Sequence, residues 1–222
     1  MPDEGQALLS LLQLSDSALP IGGFSHSWGL ETWVARGVVD SPKSAESAVR
    51  TLVEFTAAPF DGAACAIAHR LSCRDDERGF IELNRLLDAG RWCAEPARAS
   101  TALGDRLRRL ALEAGLIGSF PDCRAHHGAV FGWLTGKLCI DRSQAASAYL
   151  FSAAASLISA CVRLVPLGHT DGQAILARMK PKITELADAC VTAALEDIQS
   201  FAPLNEWACR EHETLHTRLF QS

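Results

Sequence analysis

The amino-acid sequence predicts an all-α fold: one helical bundle over residues 1–222, with an ordered glycine- and proline-containing loop near the start and a polar carboxyl-terminal tail. Three observations carry that expectation. Apolar residues recur every three or four positions in segment after segment, which puts them on one face of a helix. No sustained alternation of apolar and polar residues bounded by hairpin turns occurs, so strands have no signal. Glycine, proline and capping residues stand where the helical patterns begin and end.

Leu8, Leu9, Leu11, Leu12 and Leu14 make a leucine-dense leading helix over residues 1–14, which gives way at Ser15-Asp16-Ser17. Residues 15–37 hold the loop and a short helix from about Ser27 to Ala35, stopped at Gly37. Ser41 offers an N-cap with Pro42 in the first helical position, and Ala45, Ala48, Val49, Leu52 and Val53 follow on one face. Pro59 and Gly62 are expected to end or kink that helix. Phe80, Leu83, Leu86 and Leu87 form a stripe closed by Gly90; Leu103, Leu107, Leu110, Ala111 and Ala114 form another closed by Gly115. Asp141 with Gln144 reads as a capping box. Ile183, Leu186, Ala187, Cys190, Val191, Ala194, Leu195 and Ile198 give a helical face over four turns. From about Leu204 to 222 the tail carries Glu206, Arg210, Glu211, His212, Glu213 and Arg218, polar enough to be loose when the protein is alone.

A chain of 222 residues can bury about 70% of its unfolded surface in a continuous core and needs no staples. The formal charge of -5 provides no basic field for nucleic acid. Eight scattered cysteines without a Cys-x-x-Cys pair read as reduced thiols, and the opening Met-Pro-Asp-Glu-Gly lacks a signal's basic region, so a cytoplasmic location is expected. Ser143 to Val162 is uncharged and long enough to span a bilayer. Five serines and Gln144 interrupt its alanines and no aromatic belts flank it, which points to a helix buried in the bundle and no membrane partner.

Catalytic templates fail one by one. His212-Glu213-Thr214-Leu215-His216 matches the zinc-hydrolase signature H-E-x-x-H, but only six residues follow, too few for a third ligand. Gly132 to Leu138 resembles a phosphate loop with one residue too few and leucine where the magnesium-binding hydroxyl belongs. Ser25 and His26 lack the turn of a nucleophile elbow. Two polar, glycine-containing stretches, Ala125 to Gly132 and Arg163 to Gln173, read as packed helix junctions. No firm metal set emerges; His126, His127, His169, His212 and His216 stand as secondary candidates, and a store of metal on these histidines is the reading they would support.

Ser15 to Glu31 organises the rest. Pro20, Gly22, Gly23 and Gly29 break the helix, yet Leu19, Ile21, Phe24 and Trp28 demand burial, so the loop is ordered and presented to a partner.

This loop resembles the opening motif of the urease accessory UreF family, and four later segments resemble that family in the same order. They are Glu95-Pro96-Ala97-Arg98-Ala99-Ser100 with Leu103-Gly104, His126 to Gly132, Arg163 to Gln173, and Arg218-Leu219-Phe220 with Ser222. His26-Ser27-Trp28-Gly29 departs from the family's Tyr-Ser-x-Gly phrase, and Gln221 replaces a terminal arginine. The resemblance implies a non-catalytic, homodimeric chaperone that bridges UreD (UreH) on apo-urease to the GTPase UreG for GTP-dependent nickel insertion. It implies no stably bound cofactor: nickel is handled by the complex and GTP is bound by UreG. The implied partner-binding residues are Ser15, Asp16, Pro20, Gly22, Gly23, Phe24, His26, Ser27, Gly29, Glu31, Arg98, Arg218, Leu219 and Phe220. Arg98 or Arg218 would be the arginine that reaches the UreG nucleotide. The rival is a zinc hydrolase built on His212 and His216.

Overall fold

The computed structural model describes residues 3–221, and among them the regular structure is helical. Helix α1 spans Glu4–Ser15; a 3-10 turn covers Gly23–Ser25, and α2 covers Leu30–Ala35. The short helix starts later than expected because Trp28 and Gly29 have φ of 55° and 91°, outside the right-handed helical region. Ser41 caps α3, Pro42–Leu52: its Oγ accepts from the Ser44 amide at 3.3 Å, and the Ser44 hydroxyl accepts from the Ser41 amide at 3.0 Å.

Pro59 does not end that helix. Residues Val53–Gly62 widen into π-helical turns that run on into α4, Ala63–Ser72. In an α-helix the proline ring would crowd the carbonyl four residues back, and the wider turn relieves this while freeing carbonyl groups. The Phe55 carbonyl accepts from the Phe201 amide and the Pro59 carbonyl from the Gln199 amide, both at 3.2 Å. Cys190 Sγ reaches the Ala58 carbonyl at 3.2 Å.

Helices α5 (Glu77–Gly90), α6 (Ala94–Glu113) and α7 (His127–Lys137) follow, with the Phe80, Leu83, Leu87 and Leu103, Leu107, Ala111 stripes buried as expected. Asp141 Oδ1 accepts from the Ser143 and Gln144 amides and caps α8, Arg142–Leu164. Helix α9 runs His169–Thr192 through Pro181, so Ala194, Leu195 and Ile198 fall beyond it; α10 spans Pro203–His212.

The centre is α7, buried from Gly128 to Gly136 and laid against α4. Gly128, Gly132 and Gly136 meet the backbone of Asp61, Cys65 and His69, so the two helices touch main chain to main chain. By length and composition α8 is the one helix among the described residues that could cross a membrane; here it packs with α9, and Leu150, Ala154, Leu157 and Cys161 lie in the core.

Candidate functional site

The tail differs from its expected looseness. Residues from Pro203 onward pack on the loop and α2 because their polar groups find partners there. Thr32 Oγ1 donates to the Ala208 carbonyl at 2.8 Å, Trp33 Nε1 donates to Asn205 Oδ1 at 3.3 Å, and Arg36 pairs with Glu211. Gly29 makes this approach possible: a Cβ there would stand 2.7 Å from Asn205 Oδ1.

At the centre are Glu31 from α2, Glu95 from the first turn of α6, and His212 from the end of α10. All three are buried, His212 completely. His212 Nε2 lies 3.0 Å from Glu31 Oε2 and Nδ1 lies 2.8 Å from Glu95 Oε2. Each acid also holds the tail: Glu31 accepts from the amides of Leu219 at 2.7 Å and Phe220 at 3.1 Å, and Glu95 accepts from Arg218 Nη1 at 3.1 Å. Each ring nitrogen thus faces a carboxylate oxygen at hydrogen-bonding distance, and the imidazole bridges the two acids.

Phe220 completes the clasp. It is buried, the Arg163 guanidinium lies 4.2 Å from its ring centre, and Arg163 Nη2 also donates to the Phe24 carbonyl at 2.6 Å. The Gln221 amide donates to the Ser25 carbonyl at 2.8 Å. Ser222 lies outside the described residues. Phe24 and Leu219 point outward from this assembly, 65% and 72% exposed.

The remaining loop residues shape the same feature. Ser15 ends α1 and its carbonyl accepts from Ser152 Oγ; Asp16 Oδ1 accepts from the Ala18 amide at 2.9 Å; Pro20 is exposed. The Gly22 carbonyl accepts from Ser25 Oγ at 2.7 Å and that of Gly23 from Ser156 Oγ at 3.5 Å, while His26 and Ser27 are buried beneath. Ile21 is buried and Leu19 and Trp28 are half-buried against the core, as the loop's composition requires. Arg98 is exposed one turn along α6 from Glu95, outside this network.

The zinc-hydrolase reading is overturned by the same geometry. Helix α10 ends at His212, so His216 is exposed on irregular chain instead of sitting one turn further along, and both His212 nitrogens already face carboxylates. The other histidines do not form a metal set either. His126 is buried with Nε2 3.0 Å from Asp88 Oδ1, and His127 lies 5.4 Å from the Tyr149 ring. His127 and the exposed His169 line a cleft of ≈ 730 Å³ between the loop, the π-helical segment, α6 and α8, which His126 does not enter. Among the described residues no three His, Cys, Asp or Glu side chains are placed to hold a metal ion.

Burial lowers the pKa of His26, His69 and His126, and takes that of His127 down to about 4. Unfolded imidazoles gain protons as the pH falls below about 6.5, whereas these rings in the fold take up protons only further into acid. The unfolded chain therefore binds more protons, and stability is lost on acidification from about pH 6.5 towards 4. Thermal unfolding should show a falling midpoint across that window; a flat midpoint would contradict the assignment.

Sequence reasoning missed the roles of Glu95 and Arg163. Glu95 stood in the Glu-Pro-Ala-Arg segment and Arg163 at the end of the uncharged helix, but His212 and the Phe24 carbonyl, which they bond, lie more than a hundred positions away.

Against known proteins, the UreF family model matches residues 39–180, the span between loop and tail. The urease accessory protein UreF of Bacillus sp. (strain TB-90) is 30% identical over 97% of this chain and 99% of its own. That of Granulibacter bethesdensis is 35% identical over 97% and 94%, and UreF 2 of Brucella anthropi is 35% identical over 100% of both chains. The similarity extends through the loop and the tail, where the clasp is built. This chain therefore belongs to the UreF family and is an accessory protein of urease maturation, not an enzyme.

Proposed function

We propose that this chain is a cytoplasmic, homodimeric adaptor that holds UreD (UreH) on apo-urease and the GTPase UreG in register while nickel is inserted. Nickel is the cargo and GTP belongs to UreG; the adaptor contributes shape. The observation that supports this reading is the clasp, in which Glu31, Glu95 and His212 join the loop to the tail and hold Phe24 and Leu219 outward on one rigid base. Exposed apolar side chains fixed by buried polar bonds suit a protein-docking surface. Arg218 is bonded to Glu95, which suits it to support of the tail and not to a reach towards nucleotide.

Co-expression with UreD and UreG tests the proposal. The wild-type chain should co-elute with both on size exclusion, and the Phe24→Ala, Leu219→Ala double variant should lose at least one partner with its thermal midpoint unchanged. An intact ternary assembly with the double variant would refute this surface.

A further inference from the structure

Away from the clasp, the far ends of α4 and α7 bring two thiols together. Gly128, Gly132 and Gly136 meet Asp61, Cys65 and His69 in a constant register. At the end of that seam His69 spans both elements: its Nε2 bonds the Ile140 carbonyl at 2.8 Å and its Nδ1 lies 3.7 Å from Cys73 Sγ, so Ile140 and Cys73 flank one imidazole. Cys139, next to Ile140, has a left-handed φ of 54° in the turn that follows α7. Of the eight cysteines, only Cys73 and Cys139 are exposed. Burial and then Cys139 raise the pKa of the Cys73 thiol, while Arg142, Lys137 and Arg74 oppose them, so both sulfurs occupy one electrostatic neighbourhood.

The proton positions suit thiol chemistry. A carbonyl oxygen can only accept, so His69 Nε2 carries the ring proton and Nδ1 presents its lone pair to Cys73. We propose that Cys73 and Cys139 form a surface dithiol that closes reversibly to a disulfide in exchange with low-molecular-weight disulfides such as oxidised glutathione. The exposed Cys139 thiolate attacks one glutathione sulfur, forming a mixed disulfide and expelling one glutathione thiolate. Cys73, which lies against His69 Nδ1, loses its proton to solvent, and its sulfur attacks Cys139 Sγ and expels the second glutathione. Two cysteines are oxidised and one glutathione disulfide becomes two thiols, which take up the two released protons. The bridge would tie the end of α4 to the turn before α8.

The test is incubation of the full-length folded chain with oxidised glutathione, followed by thiol counting after denaturation and peptide mapping. Free thiols should fall from eight to six, with one bridged peptide joining Cys73 to Cys139 and full recovery under dithiothreitol. Cys73→Ser and Cys139→Ser should each retain a single glutathione on the remaining thiol; both positions are exposed, so the variants test chemistry without removing core packing. Glutathione kept on both cysteines of the wild-type chain, no reaction, or a bridge between other cysteines would overturn the proposal.

Discussion

Glu31→Ala is expected to detach the tail. The side chain accepts from His212 and from the amides of Leu219 and Phe220, and Glu31, His212 and Phe220 are buried. Its removal leaves a buried imidazole facing Glu95 alone and two tail amides without acceptors. Three donors lose their acceptor together, and each buried polar group left unsatisfied costs about 1–3 kcal/mol. Amide exchange over residues 203–221 should accelerate by roughly two to four decades, since each 1.4 kcal/mol is about tenfold. Trypsin should also cut at Arg210 and Arg218. Glu31→Gln keeps an oxygen for the amides but not the charge that faces His212, so a smaller loss is expected. Unchanged exchange in the alanine variant would show that the tail is held by its apolar contacts alone.

Gly132→Ala is the second large effect. A Cβ at this position would overlap the Cys65 carbonyl oxygen and stand 2.7 Å from the carbonyl carbon, and both belong to a helix backbone that cannot turn aside. The variant must push α7 from α4, opening the packing around Val130, Phe131, Trp133 and Leu134. Overpacking a core typically costs about 1–3 kcal/mol, and a backbone obstacle belongs at or above the top of that range. Gly118→Ala is the control: it is exposed, has nothing within 4 Å of the added atom, and should shift stability by no more than about 0.5 kcal/mol. Urea unfolding of the pair separates a packing defect from a general intolerance of alanine.

Much of the fold was legible because its signals are local. Ser41 and Pro42 start α3, Gly37 and Gly115 take positive φ near the ends of their helices, and Asp141 caps α8, each within a few residues of what it controls. The misreadings share the opposite property. Pro59 obeys the rule that proline breaks an α-helix, but the chain answers with a π-helical segment whose freed carbonyls are taken by Gln199 and Phe201, far away in sequence. The tail reads as polar and therefore loose, because nothing local reveals that His212 meets an acid 181 positions earlier and Phe220 an acid 189 positions earlier. His212 and His216 satisfy a letter pattern that presumes a helix continuing past His212, which the fold does not supply. The loop was recognisable as ordered from Leu19, Ile21 and Trp28, whereas the outward turn of Phe24 follows from Arg163 and Phe220 beneath it.

Because the loop is closed by residues almost two hundred positions further along the chain, it must wait through a long stretch of translation before it can be set. The amides of Leu219 and Phe220 supply two of the three donors to Glu31, so until the ribosome has passed them the helices can form around a loop that still lacks its partners. The seam between loop and tail thus orders events in time: the helices come first, and the outward face of the loop is set only after them.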